Sequence, residues 1–469
     1  MALLPIIRNS LIAIAGIFLM PAVSPAQQTA PPDSTPVRTM AGAFRKGSTQ
    51  GHVRSFLMAT DNARQLSDHR ALAAGGALTF QTAPFHGFRA GVGVSFDFHL
   101  GSTDLSAKDS ITRAANRYET GLFDLTTPGD YRHLNRVEAL WLQYEKGRFS
   151  IVLGKQSIQT PFINPQDGRM KPTAEEGVRA VFSPDKSLKI ETGWLWRIAP
   201  RSTVEWVSIE KSLGLYPGGL NPDGTASAYG GHVSSKGIGL AGITKSWGKH
   251  SKIQVWEQWV HNVFNTVFVE AVRIFPVARD QNISIGIQAM HQNALADGGN
   301  ADPTETYMTR GGRSNAVSTR IDWQRGEWRL GAAYTRVTAD GRFLAPREWG
   351  REPFYTFMAR ERIEGSGDSH SATLRAAWQP AGGRWRAEVA YGHFYLPDVK
   401  NTALNKYGFP SFRQLNVDLK YTFGSDLKGL TMEALLVYKG SMGDTYGNDK
   451  YVINKVGMIH YDLMLNYLF

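Results

Sequence analysis

The closing segment of the chain constrains its fold more than any other feature. Ile459, Tyr461, Leu463, Leu465, Tyr467 and the terminal Phe469 alternate with His460, Asp462, Met464, Asn466 and Leu468. Successive side chains of a strand point to opposite faces, so this segment reads as a strand with one apolar face. A soluble edge strand can carry the same pattern, and repetition decides between the two. Leu415, Val417, Leu419, Tyr421 and Phe423 alternate with Asn416, Asp418, Lys420 and Thr422. Val317, Ile321 and Trp323 oppose Ser318, Arg320, Asp322 and Gln324, and Trp385, Ala387, Val389 and Tyr391 oppose Arg386, Glu388 and Gly392. Period two over about ten residues, many times over, is what a barrel strand crossing a bilayer requires.

About eighteen such segments are legible by the alternation criterion. They start near His52, Leu72, Phe88, Leu134, Arg148, Gly177, Leu188, Gly237, Lys252, Asn265, Asn282, Ala316, Glu327, Ser371, Arg384, Leu415, Leu430 and Met458. Short connections fall near Pro84, Lys146, Pro184, Lys249, Arg325, Ala381 and Ser425, and long ones at 100–133, 157–176, 199–235, 292–315, 339–369, 396–414 and 440–456. Their alternation predicts tight periplasmic turns and extended outer loops, with both termini on one side. Trp323, Trp328, Trp378, Trp385, Tyr421, Phe423, Tyr467 and Phe469 all fall beside short turns or the C-terminus. They should form one interfacial aromatic belt. A propeller would repeat a blade motif at fixed period, and none is seen.

The alternatives narrow further from the N-terminus and the composition. Arg8, the apolar run Leu11 to Val23 and then Ser24-Pro25-Ala26 read as a secretory leader, residues 1–26, cleaved after Ala26. Residues 27–49 begin with a Pro, Thr and Ser-rich stretch and are expected to be a disordered lead-in to a barrel over 50–469. No later run approaches the roughly 20 apolar residues of a spanning helix, which excludes a helical bundle. Cysteine is absent, removing disulfides, thiolate metal sites and Cys nucleophiles together. The +11 formal charge drops by Arg8 alone to +10 after cleavage. No basic run or recognition helix accompanies it, so nucleic acid is not expected, and anionic solutes or lipid head groups are.

By parity the lumen carries Arg54, Arg320, Arg329, Arg375, Arg386 and Lys420, with Asp322, Glu388, Asp418 and Asp462 as counter-charges. Cations lining a water-filled pore favour anions, although cross-strand ion pairs can equally brace the wall. Two loops look too structured to be outer decoration. The first holds Asn164 to Pro172, with Arg169 and Lys171 fixed by turn formers. The second runs from Pro346-Arg347-Glu348-Trp349-Gly350-Arg351-Glu352-Pro353-Phe354-Tyr355 to Arg360-Glu361-Arg362. Both are expected to fold inward, near 157–176 and 339–369, placing Arg169, Lys171, Arg347, Arg351, Arg360 and Arg362 at a constriction.

These residues resemble the OprD-type outer-membrane channels. The likeness lies in Gly76 to Pro84, Gly154-Lys155-Gln156, Asp167-Gly168-Arg169, Pro346 to Phe354, Asn405-Lys406-Tyr407-Gly408 and the terminal strand, and it spans nearly the whole mature chain. The resemblance implies an eighteen-stranded channel, monomeric or loosely trimeric, with inward loops at a constriction and a ladder of basic residues guiding carboxylate substrates. It also implies Arg169 as a constriction arginine.

The expected architecture is therefore all-β, a transmembrane antiparallel up-and-down barrel in a Gram-negative outer membrane. Its expected function is passive, substrate-preferring diffusion of small anionic or carboxylate-bearing solutes such as amino acids and organic acids. Outer-membrane lipid, lipopolysaccharide and the barrel-assembly machinery are its expected partners, and no cofactor or metal is expected, the twelve His being scattered. An adhesin-like barrel with a blocked pore is the alternative. A barrel-embedded hydrolase ranks lower, since Gly365-Ser366-Gly367 is an incomplete nucleophile elbow and His393 lacks a Ser and acidic partner. An energy-coupled transporter would need a plug domain ahead of the first strand, for which 27–49 is too short.

Overall fold

The computed structural model describes residues 37–166 and 168–469. The expected leader, the first part of the lead-in and Asp167 lie outside the described residues. In chain order the strands are β1 (Ser48–Asp61), β2 (His69–Gln81), β3 (Phe88–Ser102), β4 (Arg136–Lys146), β5 (Phe149–Gln156), β6 (Ala174–Asp185), β7 (Leu188–Ala199), β8 (Val207–Ser208), β9 (Ile238–Trp247) and β10 (Ser251–Val260). They continue with β11 (Phe264–Ala278), β12 (Gln281–Ala294), β13 (Arg313–Arg325), β14 (Trp328–Val337), β15 (Ser369–Trp378), β16 (Trp385–Tyr395), β17 (Phe412–Thr422), β18 (Leu430–Ser441) and β19 (Met458–Leu468).

All nineteen belong to one sheet. β8 has two residues and pairs only with the end of β7, while β7 itself continues to β9, so eighteen long antiparallel strands make the wall. β1 pairs with β19, His52 opposite Leu468, and the sheet closes with no free edge. Closure pairs each wall strand on both sides, so no open edge presents a row of unpaired backbone groups to lipid, as an open sheet would. Phe469 completes the seam by exchanging two 3.0 Å backbone hydrogen bonds with Gly51.

The alternation fixes which face each strand presents, and it does so with the sense of a membrane protein. On β19 Tyr461, Leu463, Leu465 and Tyr467 point outward and are exposed, while His460 and Asp462 point into the lumen and are buried. The expected aromatic belt at the turn end is present, with Trp328 on Trp378, Trp385 on Tyr421, Tyr421 on Phe423 and Tyr467 on Phe469. A second set, Trp194 with Trp259 and Tyr334 with His370, stands at the loop end. Rings at both ends of an apolar band are what two head-group layers select.

Every expected strand start falls at or near an observed one, His52 against Ser48 being the widest gap. Two details differ. The lead-in is not disordered to residue 49, because helix α1 (Met40–Arg45) forms there, with the Thr39 hydroxyl accepting from the Gly42 amide at 3.0 Å. Its Ala43 carbonyl takes the Ala83 amide at 3.0 Å, which docks the helix on the β2–β3 turn. Two connections at the loop end, 62–68 and 261–263, are short, so long and short do not alternate throughout. At the turn end a Gly with φ of +52°, Gly326, makes the β13–β14 reversal tight, a conformation that costs other residues free energy.

A collar inside the barrel as the candidate functional site

The β5–β6 and β14–β15 loops meet lumen-facing side chains of the wall and together form a collar. The segment Pro353 to Arg360 runs along the inside of the wall, meeting strand after strand. Tyr355 donates to Glu270 of β11 at 2.8 Å, and the Pro353 carbonyl accepts from Gln288 of β12 at 3.1 Å. The Tyr355 amide donates to Ser318 of β13 at 3.2 Å, and Thr356 shares a 2.7 Å bond with Thr335 of β14. The carbonyls of Phe357, Ala359 and Arg360 then accept from Arg375 of β15, Gln414 of β17 and Lys439 of β18. Arg360 finishes on Asp462 of β19.

The loop from β5 to β6 covers the opposite wall in the same way. The Ile158 amide donates to Glu175 of β6 at 2.9 Å, Arg136 of β4 and Arg54 of β1 donate to the carbonyls of Pro172 and Arg169, and Lys171 is ion-paired with Asp97 of β3. The loops join where Asn164 donates to the Arg351 carbonyl and accepts from the Arg351 amide, both at 3.0 Å, and its own amide reaches the Trp349 carbonyl at 3.1 Å. Gly350 makes this junction possible. Its φ is +148° and a Cβ there would lie 2.8 Å from Asn164, so a side chain is excluded. Trp349 beside it is fully buried and donates to the Ser212 hydroxyl at 2.9 Å. Behind the collar, apolar lumen residues such as Phe264, Trp256 and Phe412 pack against loop side chains, so the loops are held by burial as well as by hydrogen bonds.

This arrangement assigns the cations expected on the wall to two groups. Arg54 and Arg375 brace the collar's backbone. The others are ion-paired below it, and Arg375 joins them: Arg320 and Arg329 share Asp322, Arg386 shares Glu388 with Arg375, and Lys420 lies 3.5 Å from Glu433. Asp322 and Glu388 are thus each shared by two guanidinium groups, and Asp418 on β17 stands opposite Glu388.

The six residues expected at the constriction also divide. Lys171 has no exposed side-chain surface and is a tie between loop and wall, so it cannot touch a solute. Arg347 is paired with Glu364 at 2.8 Å and lies 4.1 Å from the centre of the Tyr407 ring. Burial works against its charge, yet Tyr407 and Glu364 hold the guanidinium above its ordinary value. Arg360 adopts φ of +74°, which lets its carbonyl reach Lys439 while its side chain reaches Asp462.

Arg169, Arg351 and Arg362 have no carboxylate partner in salt-bridge range among the described residues. Arg362 donates to the Gln166 side chain at 2.6 Å, and Arg201, which the sequence did not single out, donates to the same oxygen at 3.0 Å. Burial, then the neighbouring Arg201 and Arg347, push the Arg362 guanidinium down to about 10. Burial and then Arg360 and Arg201 lower Arg169, and burial and then Arg375 lower Arg351. Each shift records cations crowded together in a poorly solvated place, the condition that an arriving anion relieves.

Alternation could have found Lys439, since it shares lumen parity with Glu433 on β18. It is fully buried, with Glu361 at 3.0 Å, and Arg117 reaches Glu361 from the 103–135 loop at 3.0 Å. No periodic signal marks Arg201 or Arg117, which lie on irregular loops. Among the described residues no group of three His, Asp or Glu is placed to hold a metal ion.

Comparison with known proteins agrees with the architecture. The model of the outer membrane porin family OprD matches residues 44–361. Nothing among curated proteins matches the sequence. Among solved structures, Pseudomonas aeruginosa OccK9 (OpdG) superposes with a TM-score of 0.70 at 14% identity, covering 91% of this chain and 99% of its own. Acinetobacter baumannii OccAB3 gives 0.70 at 15%, with 90% and 99% covered. Pseudomonas aeruginosa OpdK, solved with vanillate, gives 0.66 at 13%, with 91% and 99% covered. At these identities the likeness is one of fold.

Proposed function

We propose that this chain, which belongs to the OprD family of outer membrane porins, passes small carboxylate-bearing solutes passively through its barrel, with the collar setting size and its arginines setting preference. The observation that carries the reading is the imbalance of charge at the collar. Arg169, Arg351 and Arg362 have no carboxylate in salt-bridge range among the described residues, while Asp322 and Glu388 below them are each shared by two arginines. A solute carboxylate entering the collar replaces lost hydration with guanidinium donors, and the clusters beneath offer successive weak sites on the way down. No covalent step is involved, and the solute gradient drives the flux. The vanillate in the OpdK structure makes an aromatic carboxylate a sensible first probe.

Purified protein in a planar bilayer under a salt gradient tests this. Open channels with an anion-shifted reversal potential are expected, and Arg351→Gln with Arg362→Gln should reduce that shift. A cation-shifted potential refutes the preference, and an absence of conductance refutes the channel in favour of a blocked, surface-binding barrel. Liposome swelling with amino acids, organic acids, aromatic acids and sugars would then rank the solutes.

A further inference from the structure

His460 is the third residue of β19 and points into the lumen where the collar's Arg360 meets the wall. Its side chain has no exposed surface. Nδ1 lies 2.7 Å from the Thr60 hydroxyl of β1, and Nε2 lies 3.2 Å from Asp462 Oδ1. The same Thr60 hydroxyl lies 2.5 Å from Glu119 Oε1, on a buried turn of the 103–135 loop. At the ends of the series, Asn116 donates to Glu119 Oε2, and Arg360 donates to Asp462 Oδ2 at 2.9 Å.

Three hydrogen bonds in series, Glu119 to Thr60, Thr60 to His460 and His460 to Asp462, need three protons. With both carboxylates ionised, the Thr60 hydroxyl supplies one and a neutral imidazole supplies one. The third must be an additional bound proton. Within the hydrogen-bonded series itself Glu119 and Asp462 bring two negative charges and Arg360 one positive, so the series alone is neutral with that proton aboard. Burying an uncompensated charge is the more costly alternative. The remaining groups facing the imidazole do not supply it. The Tyr118 ring packs 4.8 Å away with its hydroxyl taken by Lys439, Lys439 is itself paired with Glu361, and Val437 is the neighbour on β18. Arg169 acts on Asp462 only through space.

We propose that His460 is a proton-carrying positioning residue of the collar, which sets how Asp462 holds Arg360 and so couples the selectivity of the pore to pH. With the proton bound, Asp462 is shared between His460 and Arg360. When it leaves, one of the three bonds is lost, the collar's charge falls by one, and Asp462 draws Arg360 toward the wall. Anion preference therefore falls as pH rises. This rests on the reading that the collar arginines set the preference.

The test is the reversal potential of the full-length protein in planar bilayers from pH 5 to 9. The wild type is expected to lose anion preference in a single-proton step. His460→Gln keeps an amide able to bond Thr60 and Asp462 but cannot carry the charge, and should hold the high-pH value throughout. Glu119→Gln removes a facing negative charge and should move the step to lower pH. Superimposable profiles for wild type and inserted His460→Gln overturn the proposal. Should His460→Gln fail to insert, an unshifted step in Glu119→Gln overturns it. A cation-selective channel whose step still vanishes in His460→Gln refutes the proposed solute preference but not His460, and an anion-selective channel without a step does the reverse.

Discussion

Replacing Lys171 by Met should loosen the collar without unfolding the barrel. Both side chains of the Lys171–Asp97 pair are fully buried, and Lys171 also donates to the Leu134 carbonyl at 3.1 Å. Burial pushes the ammonium below its ordinary value, with Asp97 opposing it. Met keeps the length and loses the charge, which leaves the Asp97 carboxylate buried and unpaired. Removing one partner of such a pair costs about 3–5 kcal/mol. The wall stays intact through its own ladders, so the penalty falls on the attachment of the β5–β6 loop. At about 1.4 kcal/mol per tenfold, the detached fraction should rise by roughly 10² to 4 × 10³. The Asn164 junction and the Arg54 and Arg136 bonds to loop carbonyls remain, so the loop becomes mobile and is not expelled. Single-channel recording should then show frequent transitions to larger conductance levels. Lys171→Met with Asp97→Leu removes both charges and should restore a quiet trace. A Lys171→Met trace identical to wild type, or a double variant noisier than the single one, would refute the reasoning.

The remaining expectations concern charge, pH and the loop junction. Asp322→Asn frees Arg320 and Arg329 from their shared carboxylate and should shift the reversal potential further toward the anion; a shift the other way would contradict the lumen assignment. Glu361 is held down to about 2: burial raises it, but Arg117 and Lys439 outweigh that. A carboxyl depressed from its ordinary 4.5 contributes about 3 kcal/mol of loop attachment above pH ~4.5 that is lost as pH falls toward 2. The difference in unfolding midpoint between wild type and Glu361→Gln should accordingly shrink over that interval, and a constant difference would sink the assignment. Gly350→Ala meets Asn164 and strains the junction by roughly 1–3 kcal/mol, which should produce the same enlarged conductance levels as Lys171→Met.

Alternation along the strands was enough to read the barrel, its closure and the turn-end belt, because lipid on one side and the lumen on the other force period two onto each strand. Loop 353–361 was legible as a structured segment for a different reason, its density of charge and aromatics. Its path was not legible. The collar is held by wall side chains reaching loop carbonyls, as Arg375, Gln414 and Lys439 do, and a carbonyl carries no residue identity for a sequence to display. Parity put Arg54 and Arg375 on the face from which they reach loop carbonyls but could not distinguish a brace from a solute contact. Lys171 illustrates the same limit, since a lysine two residues after Arg169 in a basic loop reads as a second constriction cation until Asp97 is seen beneath it.

The sharing of carboxylates explains how a cationic lumen can conduct at all. An unpaired guanidinium about 4 Å from a solute carboxylate near a protein surface is worth roughly 4 kcal/mol, enough to slow release by about a thousandfold. A continuous row of such sites would bind solute instead of passing it. Asp322 between Arg320 and Arg329 cancels one of two charges, and Glu388 between Arg375 and Arg386 has Asp418 opposite it, so on the proposed function a solute would meet a shallower attraction at successive points. Only the collar, where Arg169, Arg351 and Arg362 lack such partners among the described residues, keeps its charge uncancelled. On the proposed function, discrimination would be concentrated where the pore is lined by loops, and release would be faster below it. On that reading the carboxylates of the lower wall would be as necessary to anion flux as the arginines, which is why neutralising Asp322 should deepen anion preference while lengthening the residence of a carboxylate solute in the pore.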